Sequence, residues 1–521
     1  MTRAVEARVL DAWLGDGAEL ALLDVREAGQ FGAAHLFFAV PLPFSRLELD
    51  IARLAPRRAT RMVLCDDGAL GVAASAGERL EEAGYSNVHV LLDGTRGWAA
   101  AGFGLHAGVN VPSKAFGELA ERHYHTPRIG AVQLAALVAR GADVAIIDGR
   151  PLEEFRRMSI PGARCCPNGE LAGRIRAMVP DERTTIVVNC AGRTRSIIGA
   201  QTLINLGIEN PVYALENGTQ GWHLVGLELE HGARGGYPEA RSIAQPFHAR
   251  ARELAAAHGA REVQAWELAE WLGDPTRTTY VLDVRTAEEY AAATLPGAAH
   301  APGGQLIQAT DQWIAVRNAR IVLVDDDALR ACVTASWLRQ LGHDAFVLRG
   351  GTAAEVRVPP APAVMLPAAR TVTALEAKAM VAARACRVVD VRASMAFRKA
   401  CIPGSAWSIR PRLRELRLAP AARVLLVSDD DGIGRIAAAE LARAGIADCV
   451  LLEGGFGAWQ AALGAVVASP DEPPDDRCID YLFFVHDRHD GNREAARAYL
   501  AWEMALLGQL GARESASFRL G

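Results

Sequence analysis

Residues 146–155 read IIDGRPLEEF, and near copies stand at 22–31 (LLDVREAGQF), 281–290 (VLDVRTAEEY) and 388–397 (VVDVRASMAF). Each is a short apolar strand that ends in Asp-x-Arg and runs into a stretch with helical spacing. A fourfold repeat of this kind decides the architecture before any single residue is weighed.

Outward from each copy the pattern continues. Three copies reach a Pro-Gly turn: IPGA at 160–163, LPGA at 295–298 and IPGS at 402–405. A second apolar strand follows in all four, as RMVLC at 61–65, TIVVNC at 185–190, RIVLV at 320–324 and RVLLV at 423–427. Small-residue helices come next, such as SIIGAQTLINLG at 196–207 and GRIAAAELARAG at 434–445. A third strand then enters a glycine turn, as in VLLDGTRGW at 90–98, YALENGTQGW at 213–222, FVLRGGT at 346–352 and VLLEGGFGAW at 450–459. Strands alternating with helices predict the α/β class, each unit a small parallel sheet with helices on both faces.

A single core rarely grows past about 250–300 residues, so a chain of 521 needs several domains. The repeats place them at 1–110, 128–235, 258–357 and 370–468, with a linker and C-terminal helical extension over 469–521. Pro/Gly/Ala-rich or polar joints are expected over 107–130, 233–260 and 355–370. Residues 492–510, NREAARAYLAWEMALLGQL, carry helical apolar spacing and read as a helix packed across a domain interface.

Composition removes several function classes. The net charge of −5 and the lack of a basic run argue against nucleic-acid binding. No apolar run approaches the roughly 20 residues that span a bilayer. The start, MTRAVEARVLDAWLGDG, has charges throughout and no apolar centre, unlike a secretory leader. Lysine stands only at Lys114, Lys378 and Lys399, and arginine supplies the rest of the positive charge. The nine cysteines form no CxxC pair and no zinc-like spacing, which predicts reduced thiols, a cytoplasmic setting and no metal or organic cofactor.

The Asp-x-Arg strand, Pro-Gly turn, strand-to-loop cysteine and glycine/Trp ending together resemble the rhodanese homology domain, four times over about 1–468. VVNCAGRTRS at 187–196 is similar to the rhodanese active-site loop, where a cysteine follows the central strand and precedes a helix. The other units depart from that pattern at the decisive place. Asp325 stands there in VDDDALRA, Ser428 in VSDDDGIGR, and Asp66 in LCDDGALG, with Cys65 one residue earlier in the strand. The resemblance implies one active unit and three that keep the fold without the chemistry.

Within CAGRTRS, Cys190 is the expected nucleophile, and the thiolate is its reactive form. The loop precedes a helix, so free N–H groups and the positive dipole end face the sulfur. Ala191 and Gly192 let the loop curl into an anion nest. Arg193 and Arg195 add charge, while Thr194 and Ser196 add hydroxyl donors. By family analogy Arg150 reaches the substrate anion, although Arg26, Arg285 and Arg392 recur at its position and favour a structural Asp–Arg pair. Cys165 and Cys166 offer a persulfide relay, with loop thiols as the plainer reading.

The resemblance implies a sulfurtransferase of the thiosulfate sulfurtransferase type. It would move sulfane sulfur from a small donor such as thiosulfate to a thiol or cyanide acceptor through a Cys190 persulfide, in a ping-pong cycle. One alternative is a carrier scaffold that delivers the persulfide to a protein acceptor. Another is a cysteine phosphatase, which the Cys-x4-Arg count from Cys190 to Arg195 disfavours, since phosphatase loops resemble Cys-x5-Arg.

Overall fold

The computed structural model of the chain describes residues 3–69, 71–238, 245–490 and 492–520. Its four sheets share one plan, and the second shows it best. Strand Thr185–Asn189 lies at the centre, flanked in parallel by Val144–Asp148 and Val212–Leu215, with Arg164–Cys165 and Arg128–Ile129 at the edges. These strands read as continuous Val/Ile/Leu runs because helices cover both faces. Successive residues point to opposite faces. Ile186 and Val188 therefore enter one core while Val187 enters another.

One apolar core runs through the first three units and takes in Leu64, Phe116, Ile198 and Trp337. Helix Leu329–Gln340 of the third unit is buried almost all round, and its Trp337 donates Nε1–H to Thr202 Oγ1 of the second unit at 2.9 Å. The fourth sheet keeps separate cores, with Leu426 on one face and Leu425 on the other.

Two features depart from the sequence expectation. The joint expected over 107–130 holds the helix Val111–Tyr124, whose Val111, Ala115, Phe116 and Ala120 are buried together with Lys114 and Glu118. Those polar residues on the buried face hide its apolar period. The third unit also lends strand Val316–Arg317 to the first sheet, where it pairs antiparallel with Leu20–Asp24 and covers that edge. Of the joint expected over 233–260, residues 239–244 lie outside the described residues, and helix Gln245–Ala257 follows, packed on Leu329–Gln340. In the C-terminal extension the helix Arg493–Ala505 buries Tyr499, Leu500 and Glu503 against the earlier units. Among the described residues no helix is long and apolar enough to cross a membrane.

Candidate active site

Strand Thr185–Asn189 delivers Cys190 to the carboxyl edge of the second sheet, and helix Thr194–Asn205 begins four residues later. The loop between them is closed in: Cys190 is 2% exposed and Ser196 fully buried. The Ser196 hydroxyl donates to Cys190 Sγ at 3.1 Å. From behind, the short helix Gly218–Leu224 holds the loop, with Thr219 N–H and Oγ1–H donating to the Cys190 carbonyl at 2.8 and 3.0 Å. Gly218 has to be glycine. Its φ is +56°, and a Cβ would lie 2.3 Å from the Cys190 carbonyl oxygen.

The arginines divide by partner. Arg150 is buried and bidentate to Asp148 at 2.9 and 2.7 Å, with a further bond to the Met158 carbonyl. Arg26, Arg285 and Arg392 repeat that arrangement with Asp24, Asp283 and Asp390, so the Asp-x-Arg pair staples each strand end. Arg193 turns to helix Val111–Tyr124, where Glu118 accepts two bonds at 2.6 and 2.9 Å and Glu121 one at 2.6 Å. Arg195 is paired with Glu154 at 2.8 and 2.7 Å. Burial pushes its pKa down, yet Glu154 and, behind it, the Cys190 sulfur hold it well above the ordinary arginine value.

A cavity of about 200 Å³ opens on Cys190, Ala191, Gly192, Thr194 and Arg195. Arg193 and Glu154 of the same unit line it too, and further walls come from outside that unit: Lys114 from the first joint, Gln305 and Gln308 from the third unit, and Arg488, Tyr499 and Glu503 from the C-terminal extension. Glu503 Oε1 accepts from Thr194 Oγ1 at 2.9 Å and from Lys114 Nζ at 3.2 Å, and Lys114 also bonds the Tyr499 hydroxyl. Burial raises the Glu503 carboxyl, but Lys114 and Thr194 outweigh it and hold the group below its usual value. Gly192 belongs here too, since a Cβ on it would meet Glu503 Oε2 at 2.8 Å.

In two other units the same loop holds a carboxylate. Asp325 accepts the N–H groups of Asp326, Arg330 and Ala331 at 2.9, 2.8 and 3.2 Å. Asp66 accepts those of Gly68 and Ala73 at 2.7 and 2.9 Å. In the fourth unit Ser428 bonds the Asp430 carbonyl. Burial pushes the remaining candidate thiols up, Cys165 to about 12 and Cys65 and Cys166 well above their ordinary value, so all three keep their protons.

Sequence reasoning missed the wall residues and the carboxylates that engage the loop arginines. Lys114 alone left a trace, as one of three lysines in an arginine-rich chain.

A profile of the rhodanese-like domain matches residues 6–101, 131–224, 264–354 and 373–462. A crystal structure of thiosulfate sulfurtransferase from Pseudomonas aeruginosa is 42% identical, covers 99% of both chains and superposes with a TM-score of 0.90. A curated relative, the HTH-type transcriptional regulator Rv0324 of Mycobacterium tuberculosis (strain ATCC 25618 / H37Rv), is 32% identical over 109 residues, 20% of this chain. The chain spans 47% of that relative's length.

Proposed function

Since this chain belongs to the rhodanese-like domain family, with four copies of the domain, we propose that it is a sulfurtransferase whose domain at 128–235 carries sulfur on Cys190. The observation that carries this reading is the loop itself. Of the four equivalent positions only that of Cys190 offers a thiol, and it sits with a Ser196 donor and the Arg195 charge against it. Asp66 and Asp325 support the reading from the other side, because at the equivalent position each accepts loop N–H groups, Asp325 with the Arg330 guanidinium bonded to it as well.

The Cys190 thiolate attacks the outer sulfur of a donor such as thiosulfate. A bond forms between Cys190 Sγ and that sulfur, the donor S–S bond breaks, and sulfite leaves with the electron pair. Ser196 and the loop amides hold the resulting persulfide anion. A thiol or cyanide acceptor then attacks its terminal sulfur and returns the Cys190 thiolate, which makes the cycle ping-pong. The name of the Pseudomonas aeruginosa relative favours thiosulfate as a donor. Nine unpaired cysteines suit a reducing cytoplasm. The alternative, a carrier handing sulfur to a protein, fits less well with a sulfur 2% exposed at a walled cavity.

Intact-protein mass after incubation with thiosulfate tests the reading. A gain of roughly one sulfur (~32 Da), removed by cyanide and absent in Cys190→Ala, is the expected result. No gain with thiosulfate, mercaptopyruvate or glutathione persulfide overturns it.

A further inference from the structure

Four cations line the cavity over Cys190: Lys114, Arg193, Arg195 and Arg488. Three are matched by carboxylates, Lys114 by Glu503, Arg193 by Glu118 and Glu121, and Arg195 by Glu154. Arg488, in the short turn Asp487–Asp490, is different. Among the described residues it has no carboxylate partner; its guanidinium lies 3.8 Å over the Tyr499 ring and donates to the Val485 carbonyl. Its Nε is buried and, among the described residues, has no hydrogen-bond partner.

We propose that Arg488 is the residue that binds the anionic head of the sulfur donor, so that substrate selection at Cys190 is made by the C-terminal extension and not by the arginines of the loop. The inference rests on the sulfurtransferase reading and names the donor class: a small molecule with a sulfonate or carboxylate close to its transferable sulfur. A guanidinium stacked on Tyr499 is held in one plane, and with Nη1 on the Val485 carbonyl the donors left for such a head are Nη2 and the unpartnered Nε. A charge already bound to a protein carboxylate offers far less to a substrate, which is why Arg193 and Arg195 do not compete for the role. When thiosulfate reacts, the bond to Arg488 stays on the sulfonate that departs as sulfite. When mercaptopyruvate reacts, it stays on the carboxylate, while the C–S bond breaks and the pyruvate enolate takes the electron pair and a proton.

The full chain with Arg488→Gln and Arg488→Lys tests this in two ways. The kcat/KM for thiosulfate and for mercaptopyruvate is measured first. Alkylation of Cys190 by iodoacetate is then compared with its neutral analogue iodoacetamide, followed on the Cys190 peptide. In Arg488→Gln, kcat/KM for the anionic donor falls roughly 10- to 100-fold, the loss of one charge-assisted bond pair. The iodoacetate-to-iodoacetamide rate ratio falls with it, and Arg488→Lys recovers part of that ratio. Equal loss of both alkylation rates, or no change in the ratio, overturns the proposal. The donor that loses rate in Arg488→Gln separates a sulfonate from a carboxylate substrate. If the alkylation ratio depends on Arg488 but the wild type gains no sulfur from any donor, the sulfurtransferase reading fails and the anion site stands.

Discussion

The Ser196 hydroxyl points at the Cys190 sulfur from 3.1 Å, with Ser196 fully buried on the first turn of the following helix. A donor so placed is worth more to a sulfur anion than to a thiol, since hydrogen bonds to charged acceptors contribute about 1.5–3 kcal/mol. Ser196→Ala therefore slows iodoacetamide alkylation of Cys190 at neutral pH by about tenfold or more and shortens the lifetime of the proposed persulfide. Unchanged alkylation, read by peptide mass over time, would show that the bond does not reach the reactive form.

Lys114 and Glu503 are both buried, and each is the other's charge partner. Removing one partner of a buried pair typically costs 3–5 kcal/mol, because the survivor is left uncompensated. Glu503→Gln and Lys114→Met each lower the Tm, on the order of 10 °C. The double variant loses less than the sum of the two. Hydrogen exchange along Arg493–Ala505 rises in the single variants, because Glu503 also holds Thr194 of the Cys190 loop. Additive losses would mean that the pair does not tie the C-terminal helix down.

Much of the fold was legible because its signals are local. The Asp148–Arg150 staple spans two residues, and the strands announce themselves as apolar runs closed by glycine turns. The loop from Cys190 to Ser196 was legible for the same reason. What encloses it was not. Arg193 meets Glu118 across 75 residues and Thr194 meets Glu503 across 309, and no periodicity encodes such pairs. The sequence offers Arg193 and Arg195 as charge at the loop but does not show their partners, which come from the first joint and from the helix Leu152–Arg157. Strand Val316–Arg317 was invisible too, since two residues completing the sheet of another unit leave no pattern.

His35 makes the first unit acid-sensitive. Burial depresses its pKa from 6.5 to about 3, against the Phe31 carbonyl bonded to Nδ1, which favours the charged ring. The unfolded chain takes up a proton below about 6.5, whereas the folded ring does not until about pH 3. The folded state therefore loses stability as pH falls through that window, and keeps its full contribution above it. The total is on the order of 5 kcal/mol. In His35→Phe, which retains the stack on Phe31, Tm falls less steeply between pH 6.5 and 4 than in the wild type. Parallel pH profiles would assign the acid sensitivity elsewhere.

Cys190→Asp asks whether the loop is an anion cradle independently of any sulfur chemistry. At 2% exposure a new carboxylate normally costs several kcal/mol, because its hydration is lost and nothing replaces it. Units one and three carry that carboxylate already: Asp66 and Asp325 are 4% and 2% exposed, each accepting at least two loop N–H groups, and Asp325 is bonded by the Arg330 guanidinium as well. If the amides around Cys190 converge in the same way, they and Ser196 satisfy the new oxygens. Cys190→Asp then melts within a few degrees of Cys190→Ala, where each kcal/mol corresponds to roughly 2–4 °C for a domain-sized unit. Both variants lack the thiol, so the comparison is one of stability alone. A Tm for Cys190→Asp lower by about 10 °C or more would mean that the second loop is shaped for a neutral thiol, and the thiolate would have to be held by Ser196 and Arg195 without the backbone.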